Sequence, residues 1–135
     1  MENVSRGLLD TSVLIGSGED SELEAALPAE TAISVATLAE LHYGVLVATN
    51  EQTRQERLRR LGIVEATFQP VPIDAAIARA FAAIAYAVKN AGRQPRARVM
   101  DLWIAATALA LQVPLYTRNA EDFRGLERLV EVRVI

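Results

Sequence analysis

The chain contains no cysteine and a single histidine, His42. The first absence excludes disulfides and thiolate zinc sites, and the second leaves no room for a centre built on several imidazoles. Chemistry here must run on Asp, Glu, hydroxyls and Arg. Aromatic residues are scarce, at 5%, and the one Trp, Trp103, falls in an apolar helical stretch where core packing is expected rather than stacking on a base. No apolar run is long enough to span a bilayer. The opening "MENVSRG" lacks a basic segment followed by an apolar one, so no secretory signal is expected. These absences predict a soluble, cytoplasmic protein with no membrane association. No repeat, low-complexity tract or linker divides the 135 residues, and 1–135 reads as one domain.

What is present is an apolar content of 51%, enough for an ordered core, and a net charge of −3 that is unevenly spread. Residues 75 to 100 carry Arg79, Lys89, Arg93, Arg96 and Arg98 with no acid among them, and "RQERLRR" adds Arg54, Arg57, Arg59 and Arg60. Two readings stand for these clusters: solvated helix faces, or a basic rim around an acidic site.

Short apolar segments alternate with helical patterns. "GLL" before Asp10, "TAIS" (31–34), "VPLYT" and "LVEVRVI" read as strands, and "FQPVPI" as an extended segment limited by its prolines. Helices are expected over 19–27, 35–49 and "EQTRQERLRRLGIVEA", and from Asp74 with Ile77, Phe81, Ile84 and Val88 as one stripe. Gly92 stands just past that helix, "RQPRAR" reads as a loop, and 100–112 is apolar all round, as in a central buried helix. The alternation indicates an α/β fold with a mainly parallel sheet of about five short strands and helices on both faces. Ligands of such folds bind beyond the strand C-termini, where Asp10 and Thr117 stand.

Each acid near such an end also has a plain structural explanation. Asp10 can cap the next helix. Glu40 follows Thr37 in the T-x-x-E capping-box pattern, on a face with Ala36 and Gly44. Asp101 opens an apolar helix, as an N-cap or a partner for its dipole, on a face continued by Ala105 and Ala108. Asn119 and Asp122 in "TRNAEDF" suit a turn. Capping does not explain why several elements each place an acid at a strand end or beside small residues. Three or four such oxygens, without His or Cys, suit a hard cation, Mg²⁺ or Mn²⁺.

The start "LLDTSVLI", the Glu of "SVATLAELHYG" and the block "RVMDLWIAATALALQVPLYTRNAEDF" resemble PIN-domain ribonucleases, and more narrowly the VapC-type toxins of bacterial type II toxin–antitoxin pairs. The resemblance spans nearly the whole chain. It implies a three-layer α/β/α sandwich and hydrolysis of RNA phosphodiesters with one or two Mg²⁺ ions, for which Mn²⁺ may substitute. Asp10, Glu40 and Asp101 match the family's metal-binding acids, and Thr11 or Ser12 matches the hydroxyl position after the first acid. Asn119 stands where the family often has Asp, and Asp122 is the nearest replacement for that charge. Thr11, Ser12 and Thr117 are expected to orient ligands or phosphate, and Arg93, Arg96 and Arg98 to contact the RNA backbone. The resemblance further implies a VapB-type antitoxin as partner, a toxin homodimer within that complex, and contact with DNA only through the antitoxin. Leu46, Val47, Leu58 and Leu61 are candidates for those surfaces or for the core.

The competing classes are weaker. A haloacid-dehalogenase phosphatase wants an Asp where Ser12 stands, and a receiver domain wants a late Lys that residues 99–135 lack. A PIN-like module that binds RNA or a partner without cutting is the alternative kept open by Asn119.

Overall fold

The computed structural model describes residues 5–15 and 25–135. Four parallel strands form the sheet: β1 (Arg6–Leu9), β2 (Glu30–Ala32), β3 (Leu115–Thr117) and β4 (Val132–Val134), in the order β2-β1-β3-β4. Leu8 pairs with both Ala32 and Leu115, and Tyr116 with both Leu9 and Arg133. All four strand C-termini therefore open on the same edge, and β1 and β3 lie side by side at its centre.

Adjacent residues of these strands serve opposite faces, as the pleat requires. Leu8 and Leu115 join the core under α4 (Ala75–Asn90) and α5 (Val99–Leu111), while Leu9 and Tyr116 join a second core with Val13, Ile33, Leu41, Leu61 and Val64. The latter belongs to α1 (Thr11–Ile15), α2 (Val35–Leu46) and α3 (Glu51–Thr67). Two cores on the two faces of one sheet make the three expected layers. Leu61 is core, whereas Leu46, Val47 and Leu58 are exposed. Among the described residues no helix is long and apolar enough to cross a membrane.

Local chemistry sets the helix ends. Ser34, Asn50 and Asp74 cap α2, α3 and α4 by accepting the backbone N–H of Ala36, Thr53 and Ile77. The cap of α2 is thus Ser34, so Thr37 and Glu40 lie inside the helix and the capping-box explanation of Glu40 does not hold. Past α4, Gly92 takes φ of 80°, and the N–H groups of Gly92 and Arg93 bond Lys89 O and Val88 O at 3.0 and 3.1 Å. This closes the helix and fixes Arg93.

The structure departs from the expected elements in three places. "RQPRAR" contains a 3₁₀ turn, Pro95–Arg98, because Pro95 is preset for the first position of a helical turn. The extended segment around Val71 forms a single bridge with Ser34 rather than a fifth strand, since Pro70 and Pro72 on either side cannot donate to a ladder. Ala105 and Ala108, beside Asp101, are fully buried, so their small size serves close packing of α5 and not ligand space. The helix expected over 19–27 lies mostly outside the described residues, which include its helical Ala25 and Ala26 and, in a bend, Leu27. Trp103 stacks on Phe81 with ring centroids 4.0 Å apart and packs against the core, as expected.

The approach of β1 to the Tyr116 ring requires a residue without a side chain. A Cβ on Gly7 would run into the ring, meeting Cδ1 at 2.7 Å, and would lie 2.9 Å from Pro28 Cγ. The ring cannot easily yield, because Arg133 bonds its hydroxyl at 2.9 Å and covers its face at 5.7 Å. Gly7→Ala is expected to cost about 1–3 kcal/mol through overpacking. Gly62→Ala, on α3 where a Cβ meets nothing within 4 Å, should instead stabilise by about 0.5–1 kcal/mol. Chemical denaturation of the two variants checks the opposite signs.

Candidate active site

Asp10 follows β1 and is 3% exposed. Its backbone N–H bonds Tyr116 O at 2.9 Å, which locks it to the end of β3. The side chain accepts two hydroxyls on the same oxygen: Ser12 Oγ donates to Asp10 Oδ2 at 2.7 Å and Thr117 Oγ1 at 2.8 Å. Each hydroxyl oxygen accepts a backbone N–H in turn, Arg118 to Ser12 at 3.0 Å and Asn119 to Thr117 at 2.9 Å. Asp10 is therefore cradled by side chains, and the simple capping explanation does not account for it. Among the described residues no hydrogen bond reaches its second oxygen, Oδ1.

Glu40 comes from the middle of α2. The Thr11 hydroxyl donates to its Oε1 at 2.8 Å and lies 3.0 Å from the buried hydroxyl of Thr37. Burial pushes the Glu40 carboxyl above its ordinary range, against the Thr11 bond that lowers it, and the charges of Asp10 and Asp122 push it further. Asp101 occupies the first turn of α5, with no capping hydrogen bond from the residue that precedes the helix. Its carboxyl is pushed up to about 7, first by burial, then by Asp122, Asp10 and Glu40, while Arg98 opposes the shift.

Asp122 arrives on a second 3₁₀ turn, Ala120–Phe123. Arg98 Nη1 lies 2.5 Å from its Oδ1 and 4.0 Å from Asp101 Oδ2. Four carboxylates from four elements thus repel one another at the sheet's C-terminal edge, with Arg98 as the base among them. Among the described residues, however, no three of them converge closely enough to hold a metal ion as they stand. A hollow of about 480 Å³ bounded by Ala85, Tyr86, Lys89, Asn90 and Pro95 contains none of the acids.

The other expected site residues divide. Asn119 is exposed and contributes a backbone N–H, while Asp122 supplies the fourth negative charge. Arg93 is engaged inside the chain, where its guanidinium bonds Glu121 O at 2.9 Å and Arg124 O at 3.2 Å and so braces the turn that carries Asp122. Arg98 faces the acids rather than solvent. Arg96 is exposed and makes no ion pair among the described residues, and the same is true of Arg118. The sequence reading missed two features: the N–H groups of Arg118 and Asn119, and the role of Thr37. Spacing gives no sign of either. His42 lies apart, 2.6 Å from Glu65 across α2 and α3.

Comparison with known proteins identifies the family and the fold. The profile of the PIN domain matches residues 7–129. Ribonuclease VapC5 of Mycobacterium tuberculosis is 39% identical over 130 residues, which are 96% of this chain and 93% of that one. Ribonuclease VapC4 of the same organism is 35% identical over 87% of this chain and 88% of its own. Among solved structures, the VapBC-5 toxin–antitoxin complex of M. tuberculosis contains a chain that superposes with a TM-score of 0.81 at 37% identity, covering 97% of this chain and 98% of that one. FitAcB of Neisseria gonorrhoeae gives a TM-score of 0.73 at 26% identity, covering 93% and 95%. The chain belongs to the PIN-domain family, in its VapC ribonuclease toxin branch.

Proposed function

We propose that the protein is a Mg²⁺- or Mn²⁺-dependent endoribonuclease toxin of the cytoplasm, kept inactive by a VapB-type antitoxin. The observation that carries this reading is the group of four mutually repelling carboxylates at the C-terminal edge of a parallel sheet. A stable core gains nothing from such repulsion, and a bound dication relieves it. The donor chemistry fits a hard cation, since every candidate ligand is an oxygen. Asp10, Glu40 and Asp101 would hold the ion, with Asp122 closing the set. When bound, such an ion supplies an acidified water and neutralises charge growing on a phosphate.

The remaining residues position these ligands. Ser12 and Thr117 occupy one oxygen of Asp10 and leave the other available, and Thr11 steadies Glu40 from the neighbouring element. Arg118, whose N–H bonds Ser12, and Arg96, in the turn before α5, are exposed cations suited to RNA phosphates. Relatives solved as VapBC complexes support an antitoxin partner. Tyr43 and Leu46 of α2 and Val47 just beyond it, with Leu58 and Ile63 of α3, are exposed apolar side chains available to an antitoxin or to a second toxin copy.

The direct test incubates the purified chain and Asp101→Asn with bulk cellular RNA in Mn²⁺, in Mg²⁺ and in excess chelator. Discrete cuts are expected from the wild type with metal, none in chelator, and a rate lower by roughly 100-fold or more in the variant. Intact RNA in all arms, with equal binding by both proteins, would instead make this a non-cleaving RNA-binding module.

The electrostatics predict a second behaviour, in metal-free protein. Asp101 binds its proton more tightly folded than unfolded, so its cost is absent near pH 4 and complete above about 7. The melting temperature of the wild type should fall between those limits. Asp101→Asn should flatten the profile and gain roughly 1–2 kcal/mol at pH 8, allowing for screening of a side chain still 22% exposed. Millimolar Mg²⁺ should raise the wild-type melt and leave the variant nearly unmoved. Parallel pH profiles of the two proteins would contradict the repulsion.

A further inference from the structure

Arg98 is held among the acids by the local fold. Pro95 opens a 3₁₀ turn that ends at Arg98, the residue preceding α5, and Asp101 follows one helical turn later. From there the guanidinium reaches Asp122 Oδ1 at 2.5 Å and stands 4.0 Å from Asp101 Oδ2. The acids are restrained in two different ways. Asp10 and Glu40 are oriented by neutral hydroxyls, which a bound cation leaves in place. Asp122 is oriented by a full positive charge, and among the described residues no three carboxylates converge on a common point.

We propose that Arg98 is an internal occupant of the acid cluster, which must leave Asp122 before a divalent cation can be held by the four carboxylates. The proposal rests on reading that cluster as a cation site. Arginine cannot give up its proton, so it can neither become a ligand nor lose the charge that opposes an incoming ion. It must move. Its ion pair with Asp122 lowers the fraction of protein competent to bind metal and weakens the apparent affinity by that fraction. A structural role alone predicts the reverse, because deleting a structural contact should loosen the site and weaken metal binding.

The test is Mn²⁺ binding to the purified chain, without RNA, by titration calorimetry. Arg98→Gln, which keeps a neutral donor near Asp122, should bind Mn²⁺ more tightly, with a Kd lower by roughly 5–10-fold. Arg98→Lys, which keeps the charge, should stay close to the wild type. Equal or weaker binding by Arg98→Gln would overturn the proposal while leaving the cation site standing. If the wild type itself binds no Mn²⁺, the cation-site reading falls and this one with it. An independent measurement needs no variant. In wild-type protein titrated with Mg²⁺, the ¹⁵N–¹H guanidinium resonances of Arg98 should shift as the site fills, and resonances that stay fixed at saturation would also overturn it.

Discussion

Two hydroxyls share one oxygen of Asp10, and each is fixed by a backbone N–H from the segment just beyond β3. This network joins the first strand to the third and converts a strand end into a stationary carboxylate. The parallel arrangement makes it available, because β1 and β3 end side by side on the same edge. Placing Thr117 against Asp10 also sets the start of the segment that brings Asp122, and the N-terminus of α5 supplies Asp101 nearby. Glu40 completes the group from the opposite layer through Thr11, the neighbour of Asp10 in sequence. A short stretch of polar residues within an apolar segment therefore organises acids drawn from all three layers.

The layers and most of the elements were legible in the sequence because they depend on local periodicity. The stripe of Ile77, Ile84 and Val88 is buried, the apolar run after Met100 is the central helix, and Gly92 ends α4 where its lack of a side chain is needed. The motifs around Asp10, Glu40 and Asp101 singled these acids out in the sequence, and the fold brings their charges within reach of one another. Less visible was anything that depends on which way a long side chain turns. Arg93 and Arg98 look like equivalent loop cations in "RQPRAR", yet one braces carbonyl oxygens and the other enters the acid cluster. Asn119 and Asp122 look like alternatives three residues apart, and the 3₁₀ turn that separates them carries the Asp122 carboxylate to Arg98 while Asn119 offers its backbone N–H to Thr117. The fifth strand was overcounted for a comparable reason: an extended segment and a paired strand share a pattern, and only the two prolines tell them apart.

Two kinds of restraint coexist in the site. Neutral hydrogen bonds position Asp10 and Glu40 without altering the charge of the cluster, whereas the Arg98 ion pair both positions Asp122 and offsets part of the repulsion. Burial then raises the cost of leaving Asp101 charged, and Arg98 relieves only a fraction of it. The protein thus retains a locally unfavourable arrangement within a fold whose core is otherwise well satisfied, with no orphaned buried side-chain donor or acceptor among the described residues.

The bond between Thr117 and Asp10 joins residues 107 apart. During synthesis the ribosome makes Asp10, Glu40 and Asp101 before the strand that carries Thr117, so the cradle cannot close until β3 has emerged. A nascent chain holds most of its acids before it can organise them, and the closing contact is among the most distant in sequence that the fold contains. Assembly of the centre is thereby tied to the emergence of β3, a timing set by strand order alone.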